Sequence, residues 1–523
     1  MKTAFLLLLV LTALLLVVQT APPALAEPFG PGQTFNQKLV ADVTATALAF
    51  MAPRTLEPFS LSQMTLWGLR GLVTLDPRLT PDLHDNTLTL GAPPRLLFAR
   101  PPPAETDAAG WGEAVAQMSR AAWDASDLVR RAGTLGVLRS FFDELFNHFD
   151  PYSRYAPPEE AAEDRDRRDG RGGIGVRLAR QGGGFVIQSV LDDSPASQAG
   201  LRPGERILAI DGDSTQGEDQ QSVEELLGGP EDTPVSLLLR GRDGHTRAIE
   251  IIRALITAPT VTASRQGTAL VLRISGFSSD TGAKLAREMA RGLAGAHPPR
   301  GVVLDLRGNR GGLLREAVAA AQTLLETGIV ASTAGRDPAA AHEFMAVGED
   351  LAHGQPVVVV VDGRTASSAE ILAAALADQH RAVVVGSSTL GKGVVQTVAP
   401  LADGGELYVT WSRVLAPLGW PIQGLGVLPQ VCTSTGQAAT ARALADLQAG
   451  QQPMERALAR ERNARAPLPA AEILEIRNAC PAAEGRDGDM TTARFLIDHP
   501  PAYAAALLGP PDDTAPGGAK ASR

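Results

Sequence analysis

The chain has 523 residues, and its formal net charge at pH 7 is −10. Hydrophobic residues make up 44% of the sequence and charged residues 20%, which is ordinary for a globular protein. This length predicts two to four domains. The acidic balance argues against a nucleic-acid-binding protein, because such proteins usually carry a basic patch.

The first 26 residues have the parts of a secretory signal peptide. Lys2 supplies a positive charge, residues 4–18 are apolar, and Ala-Leu-Ala at 24–26 fits the small residues before a cleavage site. The alternative is an uncleaved membrane anchor, but a spanning helix usually needs ~20 apolar residues. We therefore predict an exported, periplasmic protein that is soluble once the signal peptide 1–26 is removed.

The next region, 27–165, is predicted to be mostly helical. Apolar residues recur at helical spacing in 61–77 and again in 135–151. The stretch "GAPPRLLFARPPPAETDAAG" (91–110) is rich in proline and is predicted to be a connection. The stretch 159–173 is charged and ends in glycines, so we expect an exposed linker there.

Further regions follow along the chain. Short strand-like runs separated by turns predict a compact β-rich module over 170–254. Over 260–432, apolar strands alternate with helical segments, which is the pattern of an α/β layer with buried strands. The segment 433–506 is predicted to be helical, and the polar tail 507–523 to be disordered. Together these regions predict a multidomain α/β protein.

The sequence contains two cysteines, Cys432 and Cys480. In an oxidising compartment they could form a disulfide, but the sequence leaves open whether they pair. Neither belongs to a C-x-x-C motif, which argues against a zinc or redox site.

A glycine-rich turn follows the apolar strand "VVVG" and holds Lys392 between two glycines. The stretch is similar to a P-loop. A P-loop lysine, however, is followed by Ser or Thr, whose hydroxyl binds Mg²⁺, and then by a helix. Here Gly393 and the β-branched stretch "VVQTVAP" follow. We therefore reject a nucleotide site and look for another role for Lys392.

A second strand, turn and helix, "VVVVVDGRTASSAEILAAAL" (357–376), places Ser367 where a helix begins. Free N–H groups and the helix dipole favour negative charge at such a point. A serine there could attack a carbonyl while nearby N–H groups hold the oxyanion. The competing interpretation is structural, because Ser367 and Glu370 form the S-x-x-E pattern of a capping box.

A residue that could act as the base for Ser367 favours the catalytic interpretation over the structural one. His380 lies about three helical turns from Ser367, too far to act on it. The chain neighbours of Lys392 are apolar, and burial in such surroundings favours the neutral amine. Gln396 would lie on the same face of a strand as Lys392 and accept a hydrogen bond from it, unless it is only a surface glutamine. A Ser–Lys pair is a known variant of the catalytic triad.

A third strand, turn and helix, "LDLRGNRGGLL" (304–314), contains Gly311 and Gly312. Glycines allow main-chain N–H groups to approach a ligand closely. One of them could supply an oxyanion donor beside the N–H of Ser368. The alternative is that this turn needs glycine only for its conformation.

Together these stretches resemble those of the carboxy-terminal processing peptidases, or tail-specific proteases, of family S41, and they occur in that family's order. The resemblance begins at "HFDPYSRY" (148–155) and ends at "RVLAPLGWPIQGLGVLP" (413–429). Between them, "GIGV" (173–176) and "SPASQAGLRPGERILAIDG" (194–212) resemble a PDZ domain. The matches cover about residues 145–431.

The resemblance implies a ClpP/crotonase-like α/β protease core with an inserted PDZ domain. It also implies that Ser367 is the nucleophile, Lys392 the base and Gln396 the residue that orients the base, since all three match the family's motif positions. The implied oxyanion donors are the N–H group of Ser368 and that of Gly311 or Gly312. No metal or other cofactor is implied.

The PDZ resemblance implies a way of selecting substrates. The C-terminus of a protein would add as a strand beside "GFVIQSV", and N–H groups of the preceding glycine loop would hold its carboxylate. Ile174 and Val176 would line an apolar pocket. The residues implied for this site are Gly173, Ile174, Gly175, Val176, Phe185 and Ile187.

We predict an exported serine endopeptidase that cleaves proteins after recognising their apolar C-terminal tails. Its partners would be unfolded or tail-exposed proteins and not nucleic acid. The sequence leaves open whether an adaptor or activating protein takes part and whether the chain forms homo-oligomers. The main alternative is a catalytically silent PDZ-type adaptor, which intact Ser367 and Lys392 disfavour. A penicillin-binding protein would need S-x-x-K, S-D-N and K-T-G motifs, and these are not assembled here.

Overall fold

The structure is a computed structural model, and it describes residues 34–507. The predicted signal peptide 1–26 and all but the first residue of the predicted tail lie outside the described residues. Within the described part of the chain, no helix has both the length and the apolar character needed to cross a membrane.

The N-terminal region combines helices with a small antiparallel sheet. In chain order its elements are α1 (Gln37–Arg54), α2 (Leu61–Leu69), α3 (Gly71–Leu75), β1 (Thr80–His84), β2 (Thr87–Ala92), β3 (Arg95–Arg100), α4 (Ala108–Ala125), α5 (Asp127–Phe146), β4 (Arg154–Ala156) and α6 (Pro158–Asp169). The helices pack around one apolar core, and α5 is interrupted at Gly133, whose backbone is not helical.

The strand β3 corrects the prediction of a connection over 91–110. Residues of β2 alternate in burial, with Leu88 and Leu90 buried and Thr87 and Thr89 half-buried, which is the period of a strand with one face on the core. Asp85 and Asn86, with φ of 47° and 55°, form the tight turn between β1 and β2. The prolines that suggested a connection lie at the turn between β2 and β3 and after β3, and so do not interrupt either strand.

The helix α6 corrects the prediction of an exposed linker over 159–173. Its local sequence explains the helix, since it has a proline at the first turn, acidic residues in the first turn and arginines in the last. Gly170, with φ of 97°, ends it. Arg165 and Arg168 of α6 pair with the buried carboxylate of Glu406, which fixes the helix to the protein core.

The β-rich module has its own apolar core. Its elements are β5 (Arg171–Gly173), β6 (Val176–Gln181), β7 (Gly184–Val190), α7 (Pro195–Gln198), β8 (Arg206–Ile210), β9 (Asp213–Ser214), α8 (Gln220–Leu227), β10 (Pro234–Arg240), β11 (Thr246–Ile252) and β12 (Ala254–Ile256). The antiparallel sheet has the order β11–β10–β8–β7–β6, so β6 is an edge strand. The first and last strands, β5 and β12, form a separate two-stranded ribbon.

The core that follows alternates strands and helices. Its elements are β13 (Val261–Gln266), β14 (Ala269–Ile274), α9 (Thr281–Leu293), β15 (Gly301–Asp305), α10 (Leu314–Ala321), β16 (Thr327–Ala334), β17 (His342–Val347), β18 (Val357–Val361), α11 (Ser368–Asp378), β19 (Val383–Gly386), β20 (Val394–Pro400), β21 (Glu406–Leu415) and β22 (Val431–Cys432). A single 3₁₀ turn, Pro338–Ala340, lies between β16 and β17.

These strands form two sheets. The first has the order β13–β14–β15–β18–β19–β22 and is parallel except for β13. Every residue of β15, β18 and β19 is buried, as expected for a parallel sheet that is covered on both faces. The second sheet, β17–β16–β21–β20, is antiparallel, and β4 from the N-terminal region pairs with β21.

The C-terminal region is helical and covers one face of the parallel sheet. It contains α12 (Gln437–Gln448), α13 (Glu455–Asn463), α14 (Ala470–Arg477), α15 (Asp487–Asp498) and α16 (Pro500–Ala506). Apolar residues of α12, α15 and α16 pack on the parallel strands, while α9, α10 and α11 cover the opposite face. Cys432 and Cys480 form a disulfide, which answers the question that the sequence left open.

Candidate active site

Three turns meet at one edge of the parallel sheet. We call them the glycine turn (306–313), the serine turn (362–367) and the lysine turn (387–393). They follow β15, β18 and β19, which are neighbouring parallel strands, so all three leave the sheet at the carboxyl ends of these strands. In α/β proteins with open sheets, ligands bind at this edge.

Main-chain hydrogen bonds join the serine turn to both of its neighbours. The N–H of Ala366 donates to the carbonyl oxygen of Asn309 in the glycine turn (2.9 Å). The N–H of Leu390 in the lysine turn donates to the carbonyl oxygen of Thr365 (2.9 Å). The three turns therefore form one hydrogen-bonded unit with the serine turn in the middle.

Ser367 has a backbone conformation that residues with side chains rarely adopt. Its φ is 56° and its ψ is −121°, directly before α11 begins. Such a conformation costs about 1–3 kcal/mol and is found most often at functional sites. Ser367 and Glu370 face each other as in a capping box, but the N–H of Glu370 donates to the carbonyl oxygen of Ser367 (2.8 Å). The strained backbone indicates that this serine does more than cap a helix.

The buried carboxylate of Glu370 joins the serine turn to the lysine turn. Its Oε2 accepts hydrogen bonds from the N–H groups of Ser367 (2.7 Å) and Lys392 (2.9 Å). Its Oε1 accepts from the N–H of Gly391 (2.6 Å) and the hydroxyl of Thr389. Burial raises the pKa of Glu370, and these hydrogen bonds oppose the rise. The S-x-x-E pattern indicated a helix cap, but it gave no sign that Glu370 links the two turns.

Lys392 is half-buried, and its Nζ donates to Oε1 of Gln396 (3.1 Å). Burial is the main cause that lowers the pKa of Lys392, and the charge of Arg154 lowers it further. The carboxylates of Asp150 and Glu370 act in the opposite direction, so the acids near Lys392 come from distant parts of the chain. A lowered pKa favours the neutral amine that a general base requires.

The structure brings Lys392 and Gln396 together, but not by the regular strand that the sequence predicted. The strand β20 begins at Val394, after the lysine. Its pairing with β21 also shifts register between Val395 and Gln396. The two side chains meet across this irregularity.

The segment 148–155 contributes residues to which the sequence gave no role. The Nζ of Lys392 lies 5.0 Å from the centre of the Tyr152 ring, and the side-chain amide of Gln396 donates to the carbonyl oxygen of Tyr152. Asp150 fixes this segment by accepting hydrogen bonds from two main-chain N–H groups and from a hydroxyl of β21. The only sequence signal for these contacts was the family resemblance of "HFDPYSRY".

The glycine turn lies directly against Ser367. A Cβ on Gly311, whose φ is 94°, would lie 2.8 Å from the Cβ of Ser367, so only glycine fits here. The N–H of Gly311 donates to Oδ1 of Asn309 (2.8 Å). The N–H groups of Gly312 and Ser368 have no acceptor within residues 34–507. The Ser368 hydroxyl donates to the carbonyl oxygen of Gly312 (2.8 Å) and so joins the two residues.

The residues predicted to recognise a tail fall into two groups. Phe185 and Ile187 are buried in the apolar core of the β-rich module, and their strand β7 lies between β6 and β8. The prediction that a tail adds beside β7 is therefore corrected, because β7 is paired on both sides and the edge strands of the sheet are β6 and β11. The loop 173–176 leads directly into β6; Ile174 in this loop is buried and Val176 is half-buried.

The site contains the groups that acyl transfer through a serine requires: a hydroxyl, an amine with lowered pKa and N–H groups without acceptors. Across residues 34–507, no group of three or more His, Cys, Asp or Glu side chains is arranged to hold a metal ion. The fold and the site together define a serine peptidase with an α/β core and an additional β-rich module.

Comparisons with known proteins agree with this class. Residues 268–433 match the model of Peptidase family S41, and residues 186–241 match that of the PDZ domain. The carboxy-terminal-processing protease of Bartonella bacilliformis is 34% identical over 301 residues, which cover 56% of this chain and 69% of that protein. The chloroplastic C-terminal processing peptidase of Tetradesmus obliquus is 32% identical over 327 residues, which cover 58% of this chain and 68% of that protein.

A solved structure of the photosystem II D1 C-terminal processing protease is 26% identical, with a TM-score of 0.34. The match covers 63% of this chain and 95% of that one. From the sequence relatives, this chain belongs to the carboxy-terminal-processing peptidases of family S41. The predicted family, the serine peptidase class and the α/β fold with a PDZ domain are thereby confirmed.

Proposed function

We propose that this chain is an exported endopeptidase that cleaves proteins after recognising their apolar C-terminal tails, with Ser367 and Lys392 as its catalytic dyad. The observation that carries the proposal is the carboxylate of Glu370, which accepts the N–H groups of both residues on one oxygen. The strained backbone of Ser367 and the lowered pKa of Lys392 support it. Export to the periplasm rests on the residue pattern of 1–26.

In the proposed reaction, Oγ of Ser367 attacks the carbonyl carbon of the scissile peptide bond while neutral Lys392 takes the hydroxyl proton. The N–H groups of Ser368 and Gly312 donate to the oxyanion. We choose Gly312 over Gly311, because the N–H of Gly311 already donates to Asn309. As the C–N bond breaks, Lys392 passes its proton to the leaving amine.

Water then hydrolyses the acyl-enzyme. Lys392 takes a proton from the water, the hydroxide attacks the ester carbonyl, and the proton returns to Oγ of Ser367 as the acid leaves. Gln396 orients the amine by accepting its hydrogen bond, and the carbonyl of Tyr152 holds the amide of Gln396 in turn. Gln396 and Tyr152 are therefore proposed as positioning residues for the base.

Tail recognition is proposed at β6 and the loop before it. An unfolded or tail-exposed protein would add its last residues as a strand along the open edge of β6. Main-chain N–H groups of the loop 173–176 would hold the terminal carboxylate, and Val176 would contact an apolar side chain. An adaptor protein and self-assembly are compatible with this arrangement but are not required by it.

The competing function is a catalytically silent adaptor that only binds tails. Such a protein would have no use for the backbone strain at Ser367 or for a half-buried lysine with a lowered pKa in the neighbouring turn, since both cost stability. Neither feature contacts the β-rich module that would do the binding. The peptidase explains both features, and we therefore favour it.

The test uses purified residues 27–523 and an unfolded protein that ends in apolar residues. We expect Ser367→Ala and Lys392→Ala to lose cleavage by about 10³-fold or more. Lys392→Arg should be equally inactive, because arginine keeps the charge but does not become neutral. Ser368→Ala, the matched neighbour, should keep activity within about tenfold, since it loses only one hydrogen bond to Gly312. EDTA should have no effect.

Two results would contradict the assignment. If Ser368→Ala is the inactive variant and Ser367→Ala is active, the nucleophile is misplaced by one residue. If the wild type binds the tail tightly but cleaves nothing, the result supports the adaptor function. The next experiment would then be a search for an activating partner.

A further inference from the structure

The serine and lysine turns both contact one segment from the C-terminal region. It runs from Cys480 to Gly485, between α14 and α15, and we call it the connecting segment. The sequence predicted that the C-terminal region is helical and gave it no part in the site.

The contacts with the serine turn are hydrogen bonds. The N–H of Gly363 donates to the carbonyl oxygen of Ala483 (2.7 Å). The buried carboxylate of Asp362 accepts the N–H of Gly485 with one oxygen (3.2 Å) and the N–H of Thr365 with the other (3.0 Å). The connecting segment is therefore bonded through Asp362 to the middle of the serine turn.

The contacts with the lysine turn involve two buried serines. The hydroxyl of Ser387 donates to the carbonyl oxygen of Ala483 (3.0 Å) and accepts the N–H of the same residue (3.1 Å). The hydroxyl of Ser388 donates to the carbonyl oxygen of Cys480. Ala483 is thus hydrogen-bonded to both turns, to Gly363 in the serine turn and to Ser387 in the lysine turn.

The disulfide fixes the first residue of the connecting segment. Cys480 is bonded to Cys432, the last residue of β22, and their Cα atoms are 5.7 Å apart. Cys432 lies opposite Gly386 where β22 pairs with β19, and the lysine turn begins directly after Gly386. Both cysteines are buried. The crosslink therefore ties the connecting segment to the strands from which the lysine turn emerges.

We infer that the Cys432–Cys480 disulfide is a positioning element of the active site, so that peptidase activity depends on its oxidation. The disulfide does not touch the reacting atoms. It holds the connecting segment against both turns, and the segment in turn holds Ser367 and Lys392 in their relative positions. This inference rests on the dyad of the proposed function.

Loss of the disulfide should slow the chemical step and leave substrate recognition unchanged. In the double variant Cys432→Ala/Cys480→Ala, we expect kcat to fall by about tenfold or more, because small shifts of catalytic groups are costly. KM and the affinity for an apolar tail peptide should stay within about twofold, since the β-rich module lies outside the contacts described. Assays are run well below the unfolding temperature of each variant.

Reduction of the wild type tests the same point without a mutation. A dithiol such as dithiothreitol gives two electrons and two protons to the disulfide, which becomes two thiols, and is itself oxidised to a cyclic disulfide. Mild denaturant exposes the buried bond, and refolding in the presence of the dithiol keeps it reduced. We expect the reduced protein to match the double variant and a reoxidised sample to recover activity.

Two further variants separate positioning from general stability. Ser387→Ala removes both hydrogen bonds to Ala483 and leaves the disulfide intact, and we expect kcat to fall by several-fold. Leu447→Ala removes a buried side chain of α12. This side chain belongs to the apolar cluster that α12, α15 and α16 form on the parallel sheet. It should lower thermal stability with kcat within about twofold of wild type.

The inference is overturned if the double cysteine variant keeps wild-type kcat, or if Leu447→Ala loses as much kcat as that variant does. An active wild type with an equally active cysteine variant contradicts this inference alone. An inactive wild type contradicts the proposed function and this inference with it.

Discussion

The pKa of Lys392 depends in part on residues that lie far from it in the chain. Burial and Arg154 lower its pKa, and the carboxylates of Asp150 and Glu370 act against them. Arg154 lies on β4, where its guanidinium stacks 4.1 Å from the centre of the Tyr408 ring and pairs with Asp164. At the residue scale, the N-terminal region therefore tunes the proposed base of the protease core.

Removing the charge of Arg154 should move the pH profile of cleavage. A general base works as the neutral amine, and the neutral fraction of Lys392 rises as pH rises through its pKa. Because Arg154 lowers that pKa, Arg154→Gln should raise it and shift the increase of kcat/KM to higher pH, by up to about one pH unit. Initial rates measured from pH 6 to pH 10 give the shift.

Asp164→Asn is the matched control for this shift. It breaks the same ion pair but keeps the charge of Arg154, so the profile should stay in place or move to lower pH. If both variants move the profile upward equally, the cause is disruption of α6 and not the charge at position 154.

At the scale of elements, the proposed tail-binding site consists of the edge strand β6 and the loop before it. Gly175 in this loop has a φ of 81°, and a Cβ added there would lie 2.3 Å from the Cβ of Ser194. The loop conformation thus depends on the absence of a side chain at this position. Gly183, in the turn between β6 and β7, has a similar φ of 77°, but an added Cβ would meet nothing within 4 Å.

These two glycines give a controlled test of tail recognition. We expect Gly175→Ala to weaken binding of a fluorescent peptide with an apolar C-terminus by about tenfold or more, because the carboxylate-binding loop must distort. Gly183→Ala carries the same backbone penalty of about 1 kcal/mol without the clash, and its affinity should stay within about threefold of wild type. Equal affinities for both variants would mean that the loop does not hold the tail.

At the scale of the whole molecule, two ion pairs connect the β-rich module to the core. Asp193 pairs with Arg287 of α9, and Asp192 lies 3.9 Å from Arg291 of the same helix. The ribbon strands β5 and β12, through which the chain enters and leaves the module, also connect it to the core. A module held by a ribbon and exposed ion pairs is suited to movement relative to the core, since exposed pairs contribute about 1 kcal/mol or less each.

The double variant Asp192→Asn/Asp193→Asn should make the ribbon more accessible. Asparagine tolerates the left-handed backbone of residue 193, whose φ is 58°. We expect trypsin to cleave after the exposed Arg171 a few-fold faster in the variant at low salt. The difference should disappear at high salt, where the wild-type pairs are screened. Asp213→Asn, an exposed charge elsewhere in the module, is the control, and an equal effect there would contradict a role for these pairs.

Much of the fold could be predicted from local patterns. The all-valine strand β18 and the apolar strand β19 indicated buried parallel strands, because a strand covered on both faces has no polar side to alternate with. The helix α6 was missed although its proline, acidic first turn and basic last turn were present, because its charge made it look like a linker. The strand β3 was missed because prolines on either side of it suggested a loop.

The sequence by itself determined the family, the order of the regions and the candidate residues Ser367, Lys392 and Gln396, because these depend on short motifs and their spacing. Only the tertiary structure decided which strands lie at the edges of the β-rich module, that Glu370 joins two turns, and that the connecting segment contacts both of them. The physical reason is that a hydrogen bond between distant residues depends on how strands are ordered and helices packed. A periodic pattern identifies a strand, but it does not say which strands lie beside it.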